Sequence, residues 1–427
     1  MDFEINNNSE YIKKLNDEKE LPRIKMHSFH RYYGKLIPAI PSLFIKEFSN
    51  EGDTIFDPFS GSGTTAVESI RAGRNFIGFE INPLAYNISL VKTYDLDFEI
   101  LLEINSKIIE LIKNKNYEIS EEDYPYLLNR DHWFKDFVQK DLIKIKKSID
   151  DYFENYSFFT IDKDKYKLFY YITLSAILRN VSNADTQHVF PGISKRMRKL
   201  ESEGKIHIDV ISSFERAIKK RALYYNEFKP NGNVNIILGD SSNCDITKYK
   251  DSADLIITNP PYISSVRYIE TLKIEMYWMK YITSSNEYSD LAHLMLGNDR
   301  LLKSEYQTVG YTGYSEIDKQ ISDMMAIDVK SAKIIENFFK QIEKVIENMS
   351  IILKSGGKVV IKISDSKIKK TKIETGRYMS LIAEKYGFKI KDIFLDEINN
   401  NSRSLTTARN TYSDIITHDY IIIWEKQ

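Results

Sequence analysis

The sequence has almost no cysteine and no long apolar run. Cys244 is the one cysteine in 427 residues, which excludes an internal disulfide framework and a zinc cluster of several thiolates. No segment approaches the ~20 apolar residues of a membrane span, and the polar N-terminus lacks the apolar core of a signal peptide. We therefore expect a soluble protein of the reducing cytoplasm with no membrane partner.

The chain also lacks a net charge of either sign. It has 60 Lys and Arg against 61 Asp and Glu, a formal charge of -1, so no global basic field indicates nucleic acid. A local patch is nevertheless enough to hold phosphates, and residues 195–199 and 216–221 are the densest basic stretches. Either stretch fits an ordinary solvated helix face equally well.

Length and composition predict one large core with an accessory region, because 42% of the residues are hydrophobic. Residues 1–27 are polar and predict a loose N-terminal arm. Residues 28–94 and 233–427 alternate between strand and helix patterns and predict one α/β domain. In residues 95–232 glycine is scarce and Leu, Ile, Lys and Tyr recur at helical spacing, which predicts a helical insertion between the second and third strands of a sheet.

Residues 254–262 have the sequence Asp-Leu-Ile-Ile-Thr-Asn-Pro-Pro-Tyr. Such an apolar strand delivers its last side chains to the carboxyl edge of a sheet, and Pro260 and Pro261 prevent it from continuing. Asn259 and the carbonyl of Pro260 can accept the two hydrogens of an exocyclic aromatic amine, and Tyr262 offers a ring on which a planar base stacks. A plain Pro-Pro turn, with Asn259 as turn former and Tyr262 as a half-buried core ring, is the alternative.

Residues 54–65 place a strand, a glycine turn and a helix start end to end. Gly61 and Gly63 allow a tight turn and close backbone approach to a ligand, whereas Thr64 and Thr65 stand where a helix N-terminus offers free amides.

A second strand, residues 75–79, ends in Glu80. An acid at this point is placed to accept hydrogen bonds from a ribose diol. Taken alone, the glycine loop would serve a dinucleotide equally well, and Glu80 would be a solvated strand end.

Together these motifs resemble the S-adenosylmethionine-dependent amino-methyltransferases that modify adenine N6 or cytosine N4 in DNA. Residues 57–65, Asp-Pro-Phe-Ser-Gly-Ser-Gly-Thr-Thr, are similar to the cofactor-binding motif of that family, and residues 258–262 to its catalytic motif. Residues 30–41 resemble the segment that closes over the methionine part of the cofactor. Residues 235–240 resemble the strand whose terminal acid faces the adenine of the cofactor.

The resemblance implies an α/β fold with a Rossmann-like methyltransferase sheet, mostly parallel, ending in an antiparallel hairpin of residues 387–394 and 419–424. It implies S-adenosylmethionine as cofactor and double-stranded DNA as substrate, with the target base flipped out of the duplex. The implied catalytic residues are Asn259, Pro260, Pro261 and Tyr262. The implied cofactor-binding residues are Tyr33, Gly34, Lys35, Asp57, Pro58, Phe59, Gly61, Gly63, Thr64, Thr65, Glu80, Asn82 and Asp240.

The sequence does not decide which segment recognises the target. Residues 95–232 precede Asp240, which departs from the usual arrangement in which target recognition lies between that acid and the catalytic loop. Residues 279–327, the polar residues 181–192 and the polar loop 399–410 are the other candidates. His188 has no partner histidine or cysteine at metal-ligand spacing, so we expect no metal.

The target base is predicted from two signals that differ. Asn259 before Pro-Pro-Tyr favours adenine N6, while the glycine loop also suits cytosine N4, and Cys244 lies outside any Pro-Cys motif, which argues against cytosine C5 chemistry. An RNA guanine-N2 methyltransferase and a noncatalytic DNA-binding component of a larger assembly are the alternatives. No nuclease motif is present, so a restriction-modification role would require a separate cognate nuclease or a larger defence complex.

Overall fold

A computed structural model describes residues 3–155, 162–263, 267–397 and 418–427. Its strands are β1 (Thr54–Asp57), β2 (Asn75–Glu80), β3 (Val234–Leu238), β4 (Ala253–Thr258), β5 (Leu353–Ile363), β6 (Ser366–Ile368), β7 (Thr371–Ile373), β8 (Phe388–Glu397) and β9 (His418–Lys426). Its α-helices are α1 (Glu10–Glu20), α2 (Ala39–Phe48), α3 (Thr64–Arg71), α4 (Pro83–Thr93), α5 (Phe98–Asn114), α6 (Arg130–Trp133), α7 (Asp136–Asn155), α8 (Lys163–Val181), α9 (Lys195–Ser202), α10 (Val210–Glu227), α11 (Tyr268–Thr271), α12 (Lys273–Trp278), α13 (Ser285–Leu294), α14 (Ser315–Met325), α15 (Val329–Ile352) and α16 (Thr375–Lys385). Short 3-10 helices cover Lys25–Ser28, Glu121–Asp123 and Thr247–Tyr249.

Seven strands of the described chain form one mixed sheet in the order β3-β2-β1-β4-β5-β9-β8. The first five are parallel, whereas β9 runs antiparallel to both β5 and β8. The chain builds the sheet outward from β1 in one direction and then from β4 in the other, so the carboxyl ends of β1 and β4 border a crevice. The predicted α/β fold, with a mostly parallel sheet and a C-terminal antiparallel hairpin, is confirmed.

Both faces of the sheet are buried. Leu255 and Ile257 of β4 pack with side chains of α1 and α2 on one face, and Ile256 packs with α14, α15 and α16 on the other. This double burial explains why the central strands are continuous apolar runs in the sequence, without polar alternation.

The helices α5 to α10 lie between β2 and β3 in the sequence, which confirms the predicted helical insertion. The apolar side chains of α5, α7, α8 and α10 share one buried cluster with Val67 of α3 and Ile88 of α4. Tyr225 of α10 is buried in this cluster and donates a hydrogen bond to the carbonyl of Val91 at 2.5 Å. The insertion is therefore packed onto the helical layer of the sheet.

The N-terminal segment is folded, so the prediction of a loose arm was wrong. The hydroxyl of Ser9, the residue before α1, donates to Asp392 of β8 at 2.5 Å. Leu15 is 2% exposed and packs in the core cluster of α2 and the sheet. Tyr11 and Ile12 pack on the same cluster. The segment is polar on average, so its composition did not reveal that α1 has one apolar face, which is enough to dock a helix.

Strand β5 is irregular near its start. It begins directly after α15, so Gly356, at φ +78°, lies inside the strand. The register with β4 shifts between the Ala253–Leu353 and Leu255–Lys358 pairs, and the extra residues form a bulge. The predicted polar loop, residues 399–410, lies outside the described residues.

We predict that Leu15→Ala lowers the free energy of unfolding by about 2–5 kcal/mol, because it leaves a cavity between α1 and the sheet layer. Denaturant unfolding measures the change. Lys13→Ala alters an exposed position of the same helix and is expected to change stability by less than about 0.5 kcal/mol. Small effects in both variants would mean that α1 does not dock.

Candidate active site

An open cavity of about 890 Å³ lies at the carboxyl ends of β1, β2, β3 and β4. Loops that follow these strands form most of its wall, and the segment before α2, Tyr268 and residues 294–296 complete it. The predicted residues in the wall are Gly34, Lys35, Asp57, Pro58, Phe59, Gly61, Thr64, Thr65, Glu80, Asn82, Asp240, Asn259 and Pro261. The fold thus brings both sequence motifs to one cavity.

Four predicted residues are not in the wall: Tyr33, Gly63, Pro260 and Tyr262. The hydroxyl of Tyr33 donates to the carbonyl of His188 at 3.1 Å, so this side chain points to the insertion. Gly63 precedes α3 and acts through the backbone. Pro260 lies between two wall residues, and the hydroxyl of Tyr262 donates to a carboxylate of β9.

The glycine loop after β1 lies too close to α4 for a side chain. Gly61 and Gly63 have φ of +53° and +74°. A Cβ on Gly63 would lie 2.2 Å from Ser89 Oγ and 3.1 Å from Ser89 Cα. Lys92 of α4 is 1% exposed and donates from Nζ to the Ser62 carbonyl at 2.6 Å. Burial holds the pKa of Lys92 well below its usual range.

Asp57 joins the two motifs. Its carboxylate accepts hydrogen bonds from Thr65 Oγ1 at 2.9 Å and Thr258 Oγ1 at 2.7 Å. It also accepts from the amide of Phe59 at 3.0 Å. Burial raises the pKa of Asp57 to about 6, even though these bonds favour the ionised form. Predicted as a cofactor ligand, Asp57 also braces the glycine loop against β4.

Glu80 and Asn82 follow the end of β2. Glu80 is 9% exposed and accepts from the amide of Asn82 at 2.7 Å, while burial raises its pKa to about 7. Asn82 caps α4, because its Oδ1 accepts from the amides of Leu84 and Ala85 at 3.0 and 3.2 Å. Its amide oxygen is therefore occupied within the chain.

Asp240 and Lys35 also use their charged groups within the chain. Asp240 Oδ1 accepts from the amide and the hydroxyl of Ser242, both at 2.8 Å. Lys35 Nζ donates to the carbonyls of His27 and His30 at 2.9 and 2.7 Å. Burial lowers the pKa of Lys35 to about 8.

Asn259 presents an acceptor to the cavity. Its Nδ2 donates to the carbonyl of Gly34 at 3.1 Å. Because a carbonyl can only accept, this bond fixes the orientation of the amide group. Asn259 Oδ1 is buried and has no hydrogen-bond partner among the described residues. Such an acceptor costs ~1–3 kcal/mol until a ligand satisfies it.

Tyr262 is held from the antiparallel edge of the sheet. Its hydroxyl donates to Asp419 Oδ1 at 3.1 Å, and its ring packs against the core cluster of α14, α15 and α16. Asp419 is 4% exposed and also accepts from Lys362 Nζ and Ser364 Oγ. A buried carboxylate therefore positions the tyrosine of the predicted catalytic motif.

A series of ion pairs connects Asp419 to the N-terminal helix α1. Lys362 Nζ lies 3.8 Å from Asp396 Oδ2, and Asp396 in turn pairs with Lys19 of α1. Lys362 and Asp396 are 6% and 3% exposed, so the network is nearly excluded from water.

Several residues of the cavity wall were not among the predicted site residues, including Tyr32, Ser60, Ser62, Ser241 and Tyr268. The rings of Tyr32 and Tyr268 are stacked, with centroids 6.5 Å apart. Ser60 Oγ and Ser62 Oγ are buried and have no partner among the described residues. Both serines alternate with the loop glycines, which was the available signal.

Known proteins resemble the chain over most of its length. A DNA methylase family model, of the N6/N4 group, matches residues 6–90. The type II methyltransferase M.MvaI of Kocuria varians is 26% identical over 447 residues, which cover 98% of this chain and 94% of that protein. The chain belongs to the N6/N4 DNA methylase family. The methylase is also 22% identical to the type II methyltransferase M.BsoBI of Geobacillus stearothermophilus, over 94% of this chain and 86% of that one.

The methylase is an S-adenosylmethionine-dependent DNA amino-methyltransferase. A solved S-adenosylmethionine-dependent methyltransferase of Methanosarcina mazei aligns with it at a TM-score of 0.31 and 9% identity, over 90% of this chain and 96% of that one. The cavity fits the cofactor, because the hydroxyls of Ser60 and Ser62 lack partners and Glu80 supplies a carboxylate at the end of β2.

The described ranges contain no group of three or more His, Cys, Asp or Glu that could hold a metal ion. They also contain no helix of the length and apolarity that crossing a bilayer requires.

We predict that Gly63→Ala lowers the free energy of unfolding by about 1–3 kcal/mol more than Gly52→Ala, because only the first overlaps a neighbouring helix. Both glycines have positive φ, +74° and +85°, so the backbone strain is matched. A Cβ on Gly52 meets nothing within 4 Å. Denaturant unfolding of both variants makes the comparison, and equal losses would contradict the close approach of the loop to α4.

We predict that Glu80 lowers the stability of the methylase without cofactor as the pH rises from about 4.5 to about 7. Burial raises the pKa of Glu80 from 4.5 to about 7, so the folded state keeps a proton that the unfolded chain releases in this window. Asp57 acts in the same direction up to about pH 6. His30, whose pKa burial lowers to about 3, acts in the opposite direction up to about pH 6.5. Urea unfolding across the pH series measures the slope.

Glu80→Gln is expected to make stability fall less, or rise more, with pH across this window than it does in the wild type, whereas Glu20→Gln, at an exposed position of α1, keeps the wild-type slope. An unchanged slope in Glu80→Gln would mean that Glu80 is ionised in the folded protein throughout.

Proposed function

We propose that this methylase is a type II modification enzyme that methylates the exocyclic amine of a base in duplex DNA, with adenine N6 as the favoured target. The observation that carries the proposal is Asn259 Oδ1, a buried acceptor without a partner that is fixed in the cavity wall by the Gly34 carbonyl.

An exocyclic amine is a poor nucleophile because its lone pair is delocalised into the aromatic ring. We propose that Asn259 Oδ1 and the carbonyl of Pro260 accept its two hydrogens, which draws the nitrogen toward a tetrahedral, nucleophilic state. As positive charge develops on the nitrogen, the same two oxygens stabilise it. Bound S-adenosylmethionine supplies an electrophilic methyl group on a sulfonium.

We assign cofactor binding to the loops after β1, β2 and β3. In this proposal Gly61, Ser60 and Ser62 hold the methionine end with backbone amides and hydroxyls, and Glu80 accepts the ribose hydroxyls. Asp240 faces the adenine. Tyr32 takes the place first predicted for Tyr33, since it is the tyrosine of this pair that lines the cavity.

The target base has to leave the duplex to reach Asn259. Pro260 and Pro261 keep the backbone of the catalytic loop stiff, which reduces the entropy lost when the base binds. Tyr262 remains our candidate for the ring on which the base stacks, with Asp419 fixing its hydroxyl.

Asn259 before Pro-Pro-Tyr supports adenine N6. Cytosine N4 is the second candidate, because the Asp-Pro-Phe-Ser-Gly-Ser-Gly-Thr-Thr loop also suits enzymes of that specificity. We further propose a separate cognate nuclease as partner and a cytoplasmic location, since the sequence has no nuclease motif and a single free cysteine.

We predict that Asn259→Ala lowers kcat for methyl transfer to duplex DNA by about 10²–10³-fold, because one acceptor for the amine is lost. Transfer from labelled S-adenosylmethionine to duplex DNA and to bulk RNA, followed by nucleoside analysis, measures the rate and identifies the base. Cofactor affinity, measured by calorimetry, is expected to stay within about threefold of the wild type.

Asn16→Ala, at an exposed position of α1, is the matched control and is expected to retain full activity. Label in DNA as N6-methyladenine supports the proposal, and N4-methylcytosine selects the second candidate. Label in RNA alone would refute DNA modification.

A further inference from the structure

The segment between α8 and α9 is fixed by a buried carboxylate. Asp185 is 1% exposed. It accepts hydrogen bonds from Arg196 Nη2 at 2.6 Å, from the amide of Gln187 at 3.0 Å and from the hydroxyl of Ser194. These bonds tie both ends of the segment to one point, so its backbone is defined although most of it lies at the surface.

A single carbonyl, that of His188, joins this segment to the active site. It accepts from Arg179 Nη2 and Arg31 Nη2, each at 2.8 Å, and from the hydroxyl of Tyr33 at 3.1 Å. Tyr33 directly precedes the glycine whose carbonyl holds Asn259. The segment is therefore one hydrogen bond and one residue away from the cavity wall.

The region beneath this segment contains buried charged side chains at positions where apolar side chains would suffice for stability. Arg179 and Glu275 are each 2% exposed, and Arg179 Nε and Glu275 Oε2 have no hydrogen-bond partner among the described residues. Burying a charge costs several kcal/mol per ion, and apolar residues of similar volume often stabilise a core as well or better. We therefore attribute these buried charges to fixing the backbone of the segment between α8 and α9 rather than to stability.

The fixed backbone presents polar side chains to solvent. Thr186, Gln187 and His188 are exposed at its tip, and the His188 side chain is 63% exposed. A hydroxyl, an amide and an imidazole are groups that hydrogen-bond base edges and phosphates. Polar side chains on a rigid loop are typical of recognition.

Helix α9 follows the tip and has four exposed cations. Arg196 pairs with Asp185, and the other three are Lys195, Arg198 and Lys199. Lys199 lies 3.7 Å from Glu203, while no carboxylate of the described chain pairs with Lys195 or Arg198. The first turn has no acidic residue. Lys195 lies at the first position of α9, where a cation opposes the macrodipole, so its charge does not serve the stability of the helix.

We propose that residues 186–188 and the cations Lys195, Arg198 and Lys199 form a DNA-contact surface beside the flipped base. The α9 cations contact phosphates, and the tip contacts base edges or the gap that the flipped base leaves. This inference rests on the proposed function. Duplex DNA is favoured over an acidic protein, because the segment that leads into α9 is hydrogen-bonded to Tyr33, the residue before Gly34 of the cavity wall.

The test is a triple variant, Lys195→Ala with Arg198→Ala and Lys199→Ala. Its binding to long mixed-sequence duplex DNA is measured from about 50 to 200 mM salt. Because each phosphate contact contributes ~0.9 to the slope of log K against log salt, the slope is expected to become shallower by about 2–3. Affinity at the lowest salt falls at least about tenfold, and S-adenosylmethionine affinity stays unchanged.

The control is Lys385→Ala with Lys389→Ala and Lys391→Ala, which removes the same charge from exposed positions. Strand β8 runs parallel to β5, so its first residues lie at the end of the sheet opposite the cavity. The control is expected to keep the wild-type slope. Single variants of Lys195 and Arg198, each expected to change the slope by ~0.9, replace the triple variant if it does not fold.

The tip is tested by Thr186→Ala with Gln187→Ala and His188→Ala. This variant is expected to lower kcat/KM for DNA methylation by about 5- to 150-fold per lost base contact, while the salt slope stays at the wild-type value. Wild-type methylation of DNA is the reference. If the wild type does not methylate DNA, the proposed function fails. If it does, and the α9 variant keeps the wild-type slope and affinity, this surface serves another partner and the inference is wrong.

Discussion

The carboxylate of Asp57 is the interaction on which the active site depends. It accepts hydrogen bonds from Thr65 at the start of α3 and from Thr258 at the end of β4, one residue from each motif. Thr258 is 201 positions away from Asp57 in the sequence. The parallel pairing of β1 and β4 brings the strands together, but strand pairing alone leaves the loops beyond them free. The hydrogen bonds of Asp57 couple the two loops.

A second set of contacts works through backbone carbonyls. The Gly34 carbonyl accepts a hydrogen bond that orients Asn259, and the Ser62 carbonyl accepts one from the buried Lys92. The His188 carbonyl accepts hydrogen bonds from three donors. In each case a charged or amide side chain fixes a loop that has no secondary structure of its own. Rigid loops on a twisted parallel sheet account for a site that is largely formed before a ligand arrives.

Sequence alone predicted the sheet and the cavity well, because strand periodicity, glycine spacing and two long motifs each point to the same edge. It could not decide which of Tyr32 and Tyr33 faces the cavity. Adjacent side chains in a loop have no fixed period, and the outward turn of Tyr33 depends on a carbonyl from the insertion. The position of Tyr262 likewise depends on Asp419, a residue from the last strand that no local pattern connects to the catalytic loop.

The buried network of Lys19, Asp396, Lys362 and Asp419 has a consequence for synthesis. Lys19 and its partner Asp396 are 377 positions apart, and β9, which supplies Asp419, is translated after every other element of the sheet. A chain still on the ribosome can already contain the glycine loop and the Asn-Pro-Pro-Tyr motif, yet it lacks the carboxylate that holds Tyr262. Translation of β9, rather than formation of the cofactor cavity, is thus the step that supplies the last contact of the Asn-Pro-Pro-Tyr loop.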